Sequence, residues 1–354
     1  MTEDLPPGAL AGVGWSDRVA ALFTMIDPDL VPARVTRVDR DRCRVMTPAG
    51  ESEATAAELP AVGDWVALRD DPDDPAARPV VAEVLPRWSS LARHAAGNAT
   101  TEQVMAANVD RVLVVTGLDT TVRPSRVERE LVVAWDSGAR PAVVLTKADR
   151  CADPAGSEGV RSALADRVGV DVVVTSAVDG QGIDVVRALI EPTETVVLIG
   201  ASGVGKSTLV NRLLGADVQD TGAVRQGDSK GRHTTIARHL LAMPGGGVLI
   251  DSPGTRELGL LDASEGLALA FADIEDFAVD CRFTDCAHQR EPGCAVQEAI
   301  AEGKLSAERF ESWVKLGKEA ARAEARLDAR AKAEQHRQAQ IWGRARKNRP
   351  PDRP

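Results

Sequence analysis

The stretch Gly200-Ala-Ser-Gly-Val-Gly-Lys-Ser-Thr208 constrains the fold more than any other part of the chain. An apolar, β-branched run, Thr195–Ile199, precedes it, and Leu209, Val210, Leu213 and Leu214 follow at helical spacing. A glycine-rich turn between a buried parallel strand and the helix it opens is the form of a phosphate-binding loop. The backbone N–H groups of Gly200, Ala201, Ser202, Gly203, Val204 and Gly205 can wrap a β-phosphate. The helix start at Lys206, Ser207 and Thr208 adds favourable partial charge. Lys206 then reaches the β- and γ-phosphates, and the Ser207 hydroxyl ligates Mg²⁺.

At 354 residues the chain has room for two or three domains. Hydrophobic residues make up 44% and charged ones 27%, a globular balance. No apolar run approaches the length of a membrane span. The start, Met1-Thr-Glu-Asp-Leu-Pro-Pro7, lacks the apolar core of a signal peptide, which predicts a cytoplasmic, reducing location. The net charge of −10 is uneven: residues 315–354 carry twelve Lys/Arg against five Asp/Glu. An acidic body with a basic C-terminal end excludes a diffuse electrostatic binder and allows a nucleic-acid contact at that end.

Residues 1–32 read as a loosely ordered leader with one short amphipathic helix near 17–25. From residue 33 the chain breaks into strand-like pieces at 33–38, 42–47, 51–56, 65–68 and 80–85, separated by turn residues. Five short strands at this spacing predict a small barrel such as an OB-fold over 33–103. Only Trp65 and Trp88 are available to stack on bases, so contact with the backbone or shape of a folded RNA fits better.

Near residue 104 strands and helices begin to alternate. Strands are expected at 111–116, 141–146, 170–175, 195–199 and 247–250. Ser125-Arg-Val-Glu128 has the capping-box pattern for a helix that ends at Gly138. The alternation predicts an open, mostly parallel sheet with helices on both faces, over 104–275.

Two strand ends carry base-reading signatures. In Thr146-Lys-Ala-Asp149 the Asp149 carboxylate can accept from guanine N1–H and the exocyclic amine, a donor pair adenine lacks. Lys147 can lay its stem along the base. In Thr175-Ser176-Ala177 the Ala177 N–H can donate to guanine O6. After the phosphate loop come Gly231-Arg-His-Thr-Thr235 and Asp251-Ser-Pro-Gly254. Asp251 suits Mg²⁺ held through water, and the Gly254 N–H suits γ-phosphate sensing. Either Thr234 or Thr235 can supply a further Mg²⁺ ligand. The base-reading motifs precede the phosphate loop, so the domain is circularly permuted.

With these residues in view, the chain resembles the RsgA/YjeQ family of ribosome small subunit-dependent GTPases over nearly its whole length. The permuted motif order, Gly231–Thr235 and Asp251–Gly254 carry the resemblance most specifically. It implies an N-terminal OB-fold, a permuted GTPase core and a C-terminal zinc domain over 276–354. It further implies a role with the 30S subunit and its 16S rRNA in late maturation, GTP hydrolysis to GDP being stimulated by that subunit. Thr146 stands where the family commonly has Asn, and its shorter side chain is expected to weaken contacts around the base. Residue Thr255 replaces the water-orienting glutamine of many regulatory GTPases, which predicts slow intrinsic hydrolysis. His233 is the candidate substitute, with Lys206 as the other catalytic group.

Cys281-x₄-Cys286-x-His288-x₅-Cys294 offers three thiolates and one imidazole, a closed Cys₃His set for structural Zn²⁺. Cys43 and Cys151 have no partner pattern and read as free thiols. Phe310, Trp313 and Leu316 are expected to pack onto the zinc domain, followed by a polar helix and a basic end at 344–349 that suits rRNA phosphates. No long heptad demands a dimer, so a monomer is expected. The alternative reading is a non-catalytic RNA-binding module with guanine nucleotide as a structural ligand.

Overall fold

Cys43, Val45 and Thr47 are buried while Arg44 and Met46 between them are half-buried, the period-two pattern of a strand covered on one face. A computed structural model describes residues 8–39, 41–70, 74, 77–94, 102–153, 155–216, 239–251 and 263–325. The expected short strands are β1 (Val31–Val38), β2 (Cys43–Thr47), β3 (Gly50–Ala54), β4 (Trp65–Arg69) and β5 (Val80–Val84). They pair antiparallel in the order β3-β2-β1-β4-β5, and a bridge from Thr55 to Val80 brings the two ends together. Ala33, Val35, Cys43, Val45, Ala54, Val66 and Leu68 fill this small barrel.

The leader is better ordered than expected from residue 8 onward. A 3-10 turn, Gly8–Val13, and helix α1 (Asp17–Phe23) bury Leu10, Val13 and Val19. Trp15 stacks on Phe23 and meets Trp65 edge-on, with centroids 5.6 and 5.5 Å apart. Aromatic burial of this size outweighs the low helix content of the segment. Trp65 is thereby buried, and Trp88 donates to Asp110 under the guanidinium of Arg18. Trp65 therefore offers no face to a base, and the guanidinium of Arg18 covers one face of the half-buried Trp88. A further ribbon, β6 (Ser90–His94) with β7 (Glu102–Ala107), was not anticipated.

The central sheet contains β8 (Arg111–Gly117), β9 (Arg140–Thr146), β10 (Val172–Val174), β11 (Thr195–Ile199), β12 (His239–Ala242) and β13 (Val248–Asp251). Their order is β10-β9-β8-β11-β13-β12, parallel except for the β12–β13 pair. Strands β8, β9 and β10 build outward in one direction, and the chain then returns to lay β11 beside β8. The reversal opens a crevice at the carboxyl end of β11, where open α/β sheets bind ligands. Val112, Val114 and Val143 face helices α2 (Pro124–Asp136) and α3 (Gly156–Val168). Leu113, Val115 and Val144 face the opposite way, onto α4 (Ile183–Ala188) and α5 (Lys206–Leu214). Leu209, Val210, Leu213 and Leu214 of α5 are all buried, as their spacing requires.

Helix α2 does not use the expected capping box. Pro124 occupies its first turn, Arg123 is the capping position, and no side chain bonds there. Glu128 is instead buried and ion-paired to Arg167 of α3 at 2.6 Å.

The barrel and the central sheet are continuous, because β1 pairs with β12 through Arg37 and His239. Beside this joint the buried Arg34 of β1 donates to the Thr195 hydroxyl of β11 at 2.7 Å, to the Gly63 carbonyl and to the Val13 carbonyl. Its guanidinium lies 4.9 Å over the Trp65 ring, and burial pushes its pKa down to about 10. One charged side chain thus ties leader, barrel and central strand together.

Helices α6 (Ser264–Ala270), α7 (Ala272–Ala278) and α8 (Ala295–Ala301) and a helix over 307–325 complete the described chain. Gly266 brings α6 against the Val132 carbonyl of α2, and any β-carbon at that position would strike it.

Candidate functional site

The turn from β11 into α5 needs three backbone conformations that side-chained residues avoid. Gly200, Gly203 and Gly205 have φ of 138, 79 and 103°. At Gly200 a β-carbon would also run into the Val115 carbonyl of β8, so the loop closes against its neighbouring strand. Ala201, Ser202 and Val204 fill the remaining positions. Lys206 opens α5, and its ammonium donates to the Gly200 and Ala201 carbonyls, each at 2.7 Å. The amine is therefore held at the rim of a concave loop, followed by the first helical turn with Ser207 and Thr208. This arrangement presents a helix N-terminus and a fixed positive charge to one point.

The base-reading residues collect beside it. Thr146 ends β9, and its hydroxyl reaches both the Thr116 carbonyl, at 3.2 Å, and the Val204 carbonyl in the phosphate loop. A threonine is thus long enough to tie the two motifs together, and it acts on the loop. Lys147 follows in the left-handed region, at φ 60°. Its ammonium donates to Gly203 O at 2.6 Å and to the Asp119 carboxylate at 2.7 Å. Asp149 lies exposed in a short 3-10 turn, where one carboxylate oxygen accepts from the buried Ser176 hydroxyl at 2.9 Å. The Ala148 N–H donates to Thr175 O at 3.1 Å, which fixes the Asp149 turn against the end of β10, where Ala177 follows. The carboxylate is thus aimed by a neighbour that occupies one of its acceptor sites and leaves others open.

Asp251 ends β13, the parallel neighbour of β11, so it and Ser207 issue from the carboxyl ends of adjacent strands. A hydroxyl and a carboxylate so placed are hard oxygen donors suited to Mg²⁺. His233, Thr234, Thr235 and Gly254 lie outside the described residues, as does everything from 217 to 238, from 252 to 262 and beyond 325.

Two groups at the site were missed in the sequence. Asp119 follows β8 as Asp149 follows β9, and its strand-end position was the available signal. Glu130 of α2 lines the cleft beside Ser202, and burial raises its pKa while Arg126, Lys206 and Arg129 oppose the rise.

The cysteine cluster assembles as expected. The ligand atoms of Cys281, Cys286, His288 and Cys294 all lie within 4.8 Å of one another. Cys281 Sγ and Cys294 Sγ each stand 3.5 Å from His288 Nδ1 and 3.9 Å from each other. A tetrahedron with Zn–S near 2.3 Å and Zn–N near 2.0–2.1 Å spaces its sulfurs by about 3.8 Å and sulfur from nitrogen by about 3.5 Å. The soft donors and their spacing both fit zinc. Gln297 donates to His288 O at 2.7 Å, and the Glu291 carboxylate accepts from its own backbone N–H and from those of Gln289, Arg290 and Ala287, which lowers its pKa. The His288 ring meets Trp313 edge-on at 5.8 Å, joining the cluster to the 307–325 helix as Phe310 stacks on Trp313. Cys43 and Cys151 stand apart as free thiols.

Among the described residues no helix is long and apolar enough to cross a membrane. The family model of the RsgA GTPase matches residues 84–261. The chain is 44% identical over 337 residues to the small ribosomal subunit biogenesis GTPase RsgA of Streptomyces coelicolor, covering 92% of this chain and 90% of that protein. The protein of the same description from Methanosarcina acetivorans is 39% identical, over 86% of this chain and 83% of the relative. Among solved structures, YjeQ from Thermotoga maritima superimposes with a TM-score of 0.62 at 25% identity, over 82% of this chain and 99% of that one. YloQ, a circularly permuted GTPase, does so with 0.61 at 22% identity, over 83% and 96%, which shows a shared fold.

Proposed function

Because the chain belongs to the RsgA family of small ribosomal subunit biogenesis GTPases, we infer that it hydrolyses GTP to GDP at the crest formed by the 200–208 loop and the ends of β9 and β10. The observation that carries this assignment is the Thr146–Val204 contact, which locks the base-reading turn to the phosphate loop as one surface. Asp149, aimed by Ser176, selects guanine; Lys147 lies along its face; and the Ala177 N–H takes O6. The N–H groups of the loop and Lys206 hold the phosphates. Ser207 and Asp251, with Thr234 or Thr235, would hold Mg²⁺, which when bound neutralises charge on the β- and γ-phosphates. His233 orients the attacking water, and Gly254 senses the γ-phosphate.

Residues 33–103 form the barrel domain, 104–275 the GTPase core and 276–354 the zinc domain with its basic tail, after a leader of 1–32. The partner is the 30S subunit through its 16S rRNA, the protein acting as a cytoplasmic monomer. Contact with the subunit speeds hydrolysis, and loss of the γ-phosphate releases the factor, so that turnover acts as a late checkpoint. The Cys₃His cluster holds one structural Zn²⁺. The test is GTP turnover by the full chain alone, with purified 30S and with 50S, under ATP competition. Stimulation confined to 30S and insensitivity to ATP are expected. Equal rates in all three conditions remove the ribosome assignment, and ATP competition at equal concentration removes the guanine assignment.

A further inference from the structure

We propose that Asp119 is a positioning residue for nucleotide retention, acting through Lys147 to join the base wall to the phosphate loop. This rests on the reading of the crest as the GTP site.

The residue lies on the turn after β8, in none of the motifs that define the site. Its carboxylate accepts from the Lys147 ammonium at 2.7 Å, and the same ammonium donates to Gly203 O at 2.6 Å. Both side chains are about three-quarters covered. Lys147 has a left-handed backbone, a conformation that side-chained residues seldom adopt. It also carries a long stem with several rotatable bonds. Two anchors on its end, one of them charged, fix that stem across the crest in advance of a ligand. With Gly203 O alone, the ammonium would retain one neutral acceptor and more rotamers.

The surrounding backbone is built for this pairing. At Gly117 a β-carbon would stand 2.6 Å from Asp119 Oδ1, so the glycine keeps space for the carboxylate. The Leu118 N–H donates to Thr146 O at 2.9 Å, and Leu118 O accepts from Ala152 N–H at 2.8 Å. The 116–119 segment is therefore hydrogen-bonded to both sides of the base-reading turn. It forms a third wall of the site, with Asp119 reaching across to Lys147.

A group that fixes the stem before the base arrives lowers the ordering cost of binding and slows release. It makes no contact that distinguishes guanine from adenine, a choice left to Asp149. The experiment measures release of a fluorescent GDP analogue from the wild type, Asp119→Ala, Lys147→Ala and the double variant. Steady-state KM and kcat for GTP with 30S are measured on the same proteins. Release from Asp119→Ala is expected to be about tenfold faster, with a KM increase that exceeds any fall in kcat. The double variant should release no faster than Lys147→Ala, because Asp119 acts through that lysine. The isosteric Asp119→Asn variant, which keeps the turn and loses the charge, should fall between wild type and alanine. It also supplies the measurement if the alanine protein does not fold. Release within twofold of wild type, or additive effects in the double variant, overturns the proposal. A wild-type protein that binds the adenine analogue as tightly as the guanine one overturns the parent reading instead.

Discussion

Arg309 and Glu128 stand 181 positions apart in the chain, and a guanidinium N–H of the first donates to the carboxylate of the second at 3.1 Å. Arg309 also grips Asp273 through two bonds of 2.6 and 2.7 Å and lies 4.6 Å over the Phe271 ring. Glu128 shares its carboxylate with Arg167. Helices α2, α3 and α7 and the 307–325 helix therefore meet on one ion-pair network centred on the buried Glu128 and Arg309. A second pair, Arg129 with Glu319 at 2.6 Å, repeats the link about three turns further along the C-terminal helix.

Removing Arg309 leaves a buried carboxylate short of one partner. Arg309→Ala is expected to lower unfolding free energy by about 3 kcal/mol, the cost of breaking one side of a buried pair. Urea denaturation followed by circular dichroism checks it. A loss below about 1 kcal/mol would show that Arg167 alone satisfies Glu128.

Substitution at Gly200 tests the loop directly. An alanine there must keep φ near 138° with its methyl group against Val115 O, so the loop must distort. GTP affinity is expected to fall by about a hundredfold or more, with α/β secondary structure retained. Calorimetry giving affinity within threefold of wild type would mean that the loop relaxes without cost.

Guanine selection is expected to depend on Asp149 more than on Ser176. Asp149→Ala loses the acceptor pair and should cut the GTP-over-ATP preference by about a hundredfold. Ser176→Ala removes only the 2.9 Å bond that aims the carboxylate, and a loss of about threefold to tenfold is expected. Competition binding with both nucleotides ranks the two variants, and a larger effect at Ser176 reverses the assignment.

Zinc removal should be felt in the C-terminal helix. Chelation, or Cys281→Ser, is expected to loosen the packing of Trp313 on His288 and to change tryptophan fluorescence. In Trp313→Phe that change should vanish while elemental analysis still finds one zinc per chain. An unchanged spectrum on chelation of the Trp313 protein would disconnect the cluster from the helix.

Burial pushes the Cys43 thiol up to about 11 from an ordinary value of 9.0. The folded state thus favours the protonated thiol more than the unfolded chain does. The stability this confers is complete below pH 9 and is lost as pH rises from 9 toward 11. The stability gap between wild type and Cys43→Ala should accordingly narrow between pH 8 and 10, by denaturant midpoint. A gap constant with pH would place the thiol in contact with solvent.

The phosphate loop and its flanking strand were legible because both signals are local. Gly200, Gly203 and Gly205 mark backbone conformations, and Thr195–Ile199 is an uninterrupted apolar run. The metal cluster was legible for the same reason, with all four donors within a short span. Ser125-Arg-Val-Glu128 misled because spacing does not say where a glutamate points. Its partners, Arg167 and Arg309, come from distant helices, and Pro124 had already fixed the helix start. Asp119 carried only a strand-end position as a hint, since its partner is a lysine on the next strand's turn. The β6–β7 ribbon was hidden because Ser90–His94 offers only the adjacent apolar pair Leu91-Ala92 and so no strand-like run. Cross-strand register, such as Arg37 opposite His239, is decided by the fold as a whole and leaves no trace in either segment.

That last pairing has a mechanical result. Strand β12 emerges directly from the segment that carries the threonines, and one of its edges belongs to the barrel while the other lies against the strand ending in Asp251. A swivel between these lobes would have to tear a backbone bridge and pull Arg34 away from Thr195. The nucleotide end and the barrel end are therefore coupled through paired backbone and one buried guanidinium.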